Sequence, residues 1–213
     1  MPKALVSCFS GLLFLFPLIG NAQFYSFDEQ NQPSTWQDPS ELLTDLSTSS
    51  SIDLLKWNFN QEARPVTTEK YNRVKHFGTW VDDSRDQTCY DTRSLVLIRD
   101  SLKPVKFRPA NHCKVDSGQW LDPYSGHTYD TAFPDMEIDH MVALKNAYDS
   151  GAWGWDYSHR CLYANFLGYK HHLNSVHITE NRVKGDKGPD GYMPPDTSYS
   201  CQYLQNWLVI KYA

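Results

Sequence analysis

The order of apolar and polar residues along the chain predicts a domain that mixes helices and strands. The expected elements are a short helix or strand over 71–80, a helix turning into a strand over 92–100, a hairpin over 118–129, a strand entering a loop over 136–142, and helices over 143–151 and 179–184. The last of these helices is expected to begin with Thr179 as its N-cap and to end at Gly185. Because strands and helices do not alternate as they do in βαβ units, the predicted fold class is α+β, with many loops.

An apolar run over residues 4–19 lies near the start of the chain, after Lys3 and before the small residues Gly20 and Ala22. This layout is typical of a secretory signal peptide that is cleaved after Ala22. The run is shorter than the ~20 apolar residues that a transmembrane helix needs. The mature protein is therefore expected to be secreted or periplasmic, without a membrane anchor.

Composition divides the mature chain into two parts. Residues 23–62 contain seven acids and one base, and the stretch 28–51 is rich in Gln, Ser, Thr, Asp and Pro. We expect an acidic, flexible N-terminal segment here. Residues 63–213 have the size of a single domain and carry equal numbers of acids and bases, although the whole chain has a net charge of −5. This balance neither indicates nor excludes a nucleic-acid partner, whose binding requires only a local basic track.

The cysteines predict disulfides. The chain has five, and Cys8 is lost with the predicted signal peptide. An even number in an exported chain indicates two disulfides, for which three pairings exist. The pairing nearest in sequence, Cys89–Cys113 with Cys161–Cys201, is preferred. A zinc site of four thiolates is the alternative, but the chain has no Cys-x-x-Cys spacing.

Two short motifs carry candidate chemistry. Asp139 directly precedes His140, and Asn181 is followed three residues later by Lys184. Oxygen ligands from Asp139 and Asn181 suit Mg²⁺ or Mn²⁺ better than Zn²⁺. A histidine with an ordinary pKa near ~6.5 is mostly neutral at pH 7 and can deprotonate a water molecule. These groups together suit metal-assisted hydrolysis of a phosphodiester, whereas the Asp-His pair alone could arise by chance.

The motifs Glu137-Ile-Asp-His140 and Asn181-x-x-Lys184-Gly-Asp-Lys resemble those of the His-Me finger, or HNH, endonucleases with their ββα-metal motif. More narrowly, the chain resembles an exported bacterial family related to the C-terminal HNH domain of GmrSD-type restriction enzymes. The similarity covers roughly residues 70–212. Further positions that match in order are Tyr71, Arg73, Phe77, Trp80, Cys89, Thr92, Arg93, the turn 118–126, Ala143, Leu144, Arg160, Asn165, Cys201, Tyr203 and Trp207.

The resemblance implies a role for each residue of the motifs. His140 is expected to be the general base, and Asp139 and Asn181 are expected to bind one divalent cation, Mg²⁺ first, with Mn²⁺ or Zn²⁺ as alternatives. The family's middle position, usually an Asn that orients the catalytic His, is His172 here, and a shifted register would give Asn174.

The remaining candidates surround this set. Lys184 and Arg182 are expected either to lie near phosphate or to structure the helix, and Arg93 and Arg160 either contact phosphate or form buried ion pairs. Glu137 either supports the site or is simply exposed on its strand. Between residues 160 and 187 there are five Lys or Arg residues and two acids, which is a local basic excess.

The sequence therefore predicts a monomeric, exported, metal-dependent endonuclease that acts on DNA, with RNA as a further substrate class. Low sequence preference is expected because no base-reading module accompanies the domain, and nothing in the chain identifies an inhibitor or immunity partner. Two alternatives remain open. One is a non-catalytic secreted module that binds through its Trp and Tyr side chains, and the other is a degenerate nuclease fold.

Overall fold

The computed structural model describes residues 69–82 and 88–212. The predicted signal peptide, the acidic N-terminal segment and the loop 83–87 lie outside the described residues. The helices are α1 (Arg73–Phe77), α2 (Thr92–Asp100), α3 (Leu144–Asp149), α4 (Tyr157–Asn165), α5 (Ile178–Lys184) and α6 (Ser200–Tyr212), and the strands are β1 (Lys106–Arg108), β2 (Asn111–Leu121), β3 (Thr128–Thr131), β4 (Met136–His140) and β5 (Leu173–His177). This mixture confirms the α+β class.

The first sheet is antiparallel, with strand order β1-β2-β3. The predicted hairpin over 118–129 is confirmed as the β2–β3 connection. Its turn is closed by the hydrogen bond from the Asp122 amide to the His127 carbonyl, 2.8 Å. The buried Asp122 carboxylate also accepts from the Tyr124 amide and the Ser125 hydroxyl, at 3.0 and 2.6 Å. Gly126 has a φ of +73°, which explains why this turn carries glycine.

The second sheet consists of β4 and β5, which pair antiparallel from Met136 opposite His177 to His140 opposite Leu173. The strand predicted at 136–142 is confirmed for 136–140. Because successive side chains of a strand point to opposite faces, this pair of strands separates two sets of residues. The separation matters for the site.

Two apolar clusters flank the β4–β5 strand pair. One packs α2 against the first sheet and includes Trp120, Met136 and Leu173. The other packs α3, α4 and α6 around Tyr163 and Tyr203. Large aromatic side chains are thus mainly core residues of this domain.

Two helices differ in detail from their predictions. Segment 92–100 is helical throughout and does not turn into a strand. Asp91 caps the start of this helix by accepting from the Ser94 amide at 2.9 Å. Helix α5 is capped by the ring of His177, which accepts from the Thr179 amide, rather than by Thr179 itself. Its predicted end at Gly185, with a φ of +55°, is confirmed.

One of the two predicted disulfides is confirmed. Cys89 and Cys113 are bonded, which ties the segment before α2 to strand β2. The predicted Cys161–Cys201 bond is wrong, because among the described cysteines Cys161 carries a free thiol. The thiol lies beside Gly78 and the Asn165 amide, whereas Cys201 is exposed in the first turn of α6.

Candidate active site

The sheet formed by β4 and β5 has an apolar face and a polar face. Met136, Ile138 and Leu173 point into the apolar cluster of the first sheet. Glu137 and Asp139 alternate with them and lie on the other face, which helix α5 covers. Two strands and one helix therefore bring the Asp-His motif and the Asn-x-x-Lys motif into one unit.

One end of the polar face is closed to solvent. Asp139 is 4% exposed, and its carboxylate accepts from the Tyr124 hydroxyl at 2.6 Å and the Lys184 ammonium at 2.8 Å. Lys184 is 0% exposed and also donates to the backbone carbonyl of His140 at 2.9 Å. Burial raises the pKa of the Asp139 carboxyl, and Lys184 and Tyr124 oppose that rise. We call Asp139, Lys184 and Tyr124 the closed end.

Of the two roles predicted for Lys184, the contact with phosphate is corrected by this geometry. An ammonium that is enclosed by a carboxylate and a backbone carbonyl cannot reach a phosphate on the surface. Lys184 instead fixes the backbone at His140 and compensates the charge of Asp139. A buried charge of either sign without the other would be strongly destabilising.

The other end of the polar face is open. The Asn181 side-chain amide donates to the Glu137 carboxylate at 2.8 Å, and Arg182 lies 3.5 Å from the same carboxylate. The Glu137 side chain is 32% exposed and that of Arg182 is 71% exposed. Because the nitrogen of Asn181 makes this bond, the amide oxygen, which is the atom a cation would bind, takes no part in it. We call Glu137, Asn181 and Arg182 the open end.

The ring of His140 is held in one orientation. Its Nε2 lies 2.9 Å from the Ala164 carbonyl oxygen, at the end of α4. Since a carbonyl only accepts, Nε2 carries the hydrogen and Nδ1 is the basic nitrogen. Burial and the neighbouring His172 hold the pKa of His140 well below its usual range, so the ring is neutral at pH 7.

Trp80, which contacts the His140 ring, and Arg73, which contacts Trp80, were not assigned a role by the sequence. Trp80 stacks on the ring with 5.4 Å between centroids and an interplanar angle of 4°. The guanidinium of Arg73 lies 4.8 Å from the centroid of Trp80, on a residue that is exposed. Strand alternation turns the His140 ring towards Trp80 and away from the face that carries Asp139.

The two candidates for orienting His140 act elsewhere. His172 donates from Nε2 to the Tyr163 carbonyl at 2.7 Å, and its ring meets that of His140 edge-on with 6.1 Å between centroids. Asn174 donates to the His171 carbonyl at 2.9 Å. The prediction that His172 or Asn174 holds His140 is therefore corrected. The contacts that orient His140 are the Ala164 carbonyl, which holds its ring, and Lys184, which holds its backbone carbonyl.

The predicted phosphate-binding arginines also have structural partners. Arg160 donates to the backbone carbonyls of His76, Ala152, Trp153 and Trp155, so of its two predicted roles it supports the fold, through carbonyls and not through an ion pair. Arg93 donates to the Met136 carbonyl at 2.8 Å and lies within electrostatic range of Glu137. Arg182 is the predicted phosphate contact that is mostly exposed.

The polar face offers oxygen ligands of the type that a divalent cation such as Mg²⁺ prefers. They are the carboxylates of Glu137 and Asp139 and the amide of Asn181. Glu137 and Asn181 touch each other and reach solvent, while Asp139 lies behind them against Lys184. Over residues 69–82 and 88–212 the structure shows no group of three His, Cys, Asp or Glu side chains placed to hold a metal ion. The donor chemistry therefore fits Mg²⁺ only if the amide of Asn181 contributes.

Comparison with known proteins identifies a relative but no family. An uncharacterized secreted protein of the fungus Arthroderma benhamiae is 40% identical over 141 residues, which cover 66% of this chain and 65% of the fungal protein. The chain thus spans just under two thirds of the length of that relative. No family model matches the chain, and no solved structure does.

The relative confirms the expectation of a secreted protein. In the part of the chain that the structure describes, none of the helices combines the length and the apolar character of a membrane span.

Proposed function

We propose that this protein is a secreted, metal-dependent endonuclease that hydrolyses phosphodiester bonds of DNA, and also of RNA, with little sequence preference. The observation that carries the proposal is the state of His140: a neutral imidazole whose Nε2 is tied to the Ala164 carbonyl, so that Nδ1 is the proton acceptor. It stands at the end of β4 next to Asp139, whose face of the β4–β5 pair α5 covers, while the His140 ring itself lies on the side of Trp80. The resemblance to His-Me finger nucleases assigns the base to this same residue.

In the proposed reaction, a water oxygen attacks phosphorus and the bond to the 3′ oxygen breaks. Nδ1 of His140 takes the proton of the attacking water, and solvent protonates the leaving oxygen. The products carry a 5′-phosphate and a 3′-hydroxyl, as the family resemblance implies. A neutral ring is needed at the start, and burial keeps it neutral.

The open end would hold the divalent cation through Asn181 and Glu137, with the charge of Asp139 behind them. When bound, such a cation stabilises the negative charge that develops on the phosphate and on the leaving oxygen. Arg182, the exposed cation of the open end, would contact a phosphate of the substrate. Lys184 keeps the His140 backbone and the Asp139 carboxylate in register.

The test is cleavage of supercoiled plasmid by the purified mature protein, in Mg²⁺ and in EDTA. We expect nicked and then linear DNA in Mg²⁺ and intact plasmid in EDTA. DNA ligase should reseal the nicks without further treatment, because the expected ends are those that ligase joins. Intact plasmid in Mg²⁺ and in Mn²⁺ would rule out the proposal.

A second candidate is a nuclease-like fold without turnover. Two observations favour it: both oxygens of Asp139 have protein partners, and the His140 ring stacks on Trp80 and is 7% exposed. This candidate predicts that the protein binds nucleic acid in EDTA and leaves plasmid intact under every cation condition.

A further inference from the structure

A large aromatic side chain projects from the surface in the loop before β4, the strand that carries Glu137. Phe133 is 65% exposed, the highest value among the large apolar side chains of the described residues. The guanidinium of Arg108, on β1, lies 5.3 Å from the centroid of its ring. The aromatic ring is therefore exposed but has a cation on one face.

The loop that carries Phe133 is fixed by backbone hydrogen bonds on both sides. The Ala132 amide donates to the Asp116 carbonyl at 2.9 Å, and the Met136 amide donates to the Ala132 carbonyl at 3.2 Å. The Ile178 amide, at the start of α5, donates to the Asp135 carbonyl at 2.8 Å. The ring is thus presented by a loop that is anchored to the helix of Asn181.

A row of charged side chains links Phe133 to the open end. Arg93 donates to the Met136 carbonyl at 2.8 Å, at the residue before Glu137, and lies within electrostatic range of both Arg108 and Glu137. Glu137 in turn contacts Asn181 and Arg182. The row leads from the exposed ring to the residues that would hold the cation.

We propose that Phe133 and Arg108 form a stacking platform for an unpaired base of single-stranded nucleic acid, next to the scissile phosphate at the open end. An exposed aromatic face stacks on any base, so it suits binding without sequence preference, and an arginine beside it adds attraction to the ring and to the backbone. Bases inside a duplex are already stacked, so the platform favours single strands. This inference rests on the proposed function for its cleavage step but not for binding.

The test is binding of a fluorescent single-stranded oligonucleotide, followed by anisotropy in EDTA so that no cleavage takes place. Phe133→Ala should weaken binding about 5- to 100-fold, and Phe133→Tyr should restore it, because stacking on one ring accounts for an effect of that size. The matched control is Leu102→Ala, which removes another large apolar side chain that is 62% exposed. It should leave the affinity within about twofold of the wild type.

The salt dependence of binding distinguishes the contribution of the Phe133 ring from that of Arg108. Arg108→Ala should make binding less salt-dependent, lowering the slope of log K against log salt by about 0.7 for one phosphate contact of a single strand. Phe133→Ala should leave that slope unchanged. Lys75→Ala, which removes an exposed cation on α1, is the control for charge alone.

Two results would overturn the platform: a wild type that fails to bind the oligonucleotide, or a Phe133→Ala variant that binds as the wild type does. A protein that binds through Phe133 yet leaves plasmid intact in Mg²⁺ would keep the platform and refute the nuclease. Thermal melting of each variant shows whether it has kept its fold.

Discussion

The two ends of the polar face under α5 differ in what surrounds a carboxylate. At the closed end, Asp139 is buried with Lys184 and Tyr124, and all of its partners belong to the protein. At the open end, Glu137 is a third exposed and bonds to Asn181, while Arg182 beside it lies mostly in solvent. The two carboxylates are two residues apart on the same strand and have opposite environments.

We infer from this difference that the two carboxylates of the strand have different roles. Buried charges that compensate each other hold the backbone in place. Here they fix the Asp139 side chain and the backbone carbonyl of His140. Partly exposed oxygen side chains can exchange a protein partner for a cation or a phosphate. The closed end should therefore control stability, and the open end should control activity.

Removing the cation of the closed end should give the largest effect on stability. Lys184→Met leaves the Asp139 carboxylate buried without its ammonium, and loss of one partner of a buried pair costs about 3–5 kcal/mol. The free energy of unfolding is measured by urea denaturation. Lys187→Met, at an exposed lysine after α5, should change it by less than about 0.5 kcal/mol.

A double variant sharpens that result. Asp139→Asn in the Lys184→Met background removes the orphaned charge and keeps an acceptor for Tyr124, so it should regain a large part of the loss. A double variant as unstable as Lys184→Met would show that packing, rather than charge, explains the effect.

The buried His172, whose ring meets that of His140 edge-on, should make stability depend on pH. Burial lowers the pKa of His172 to about 4, whereas the unfolded chain has a histidine pKa near ~6.5. Between these values the unfolded state binds more protons, so stability is full above about pH 6.5 and falls as the pH drops towards 4. His172→Asn should remove on the order of 3 kcal/mol of that loss. The measurement is urea unfolding at pH 7 and at pH 4.5, and an unchanged pH dependence in the variant would contradict the assignment.

At the open end we expect the reverse pattern, with a small effect on stability and a clear effect on cleavage. Glu137→Gln keeps an acceptor for Asn181 but removes the charge, so unfolding should change by less than about 1 kcal/mol. Cleavage should fall by at least about 10- to 100-fold, the loss known for groups that only support a metal ligand, because Glu137 would hold the cation itself. Glu180→Gln on α5, whose carboxylate accepts from Tyr192, is the matched control. Equal rates for both variants would remove Glu137 from the site.

The sequence predicted the elements around the site because their signals are local. Gly185 ends α5, and the strand at 136–140 follows its alternation of apolar and polar residues. The sequence left open whether Lys184 and Arg160 contact phosphate or support the fold, and the orienting role expected of His172 was wrong, because burial and side-chain partners depend on tertiary packing. A lysine in an Asn-x-x-Lys motif looks the same whether it faces solvent or a carboxylate. The free Cys161 has the same origin, since pairing depends on which cysteines the helices bring together.

Nδ1 of His140 is the proposed general base, and the rate of cleavage by a variant without that nitrogen decides whether it is. His140→Gln retains an amide donor for the Ala164 carbonyl but has no basic nitrogen, and His112→Gln changes an exposed histidine as the control. In saturating Mg²⁺ the wild type and His112→Gln should nick plasmid at similar rates. His140→Gln should be slower by about 10²- to 10⁴-fold, the range of general-base catalysis. A folded His140→Gln protein that cleaves at the wild-type rate would show that His140 is not the base.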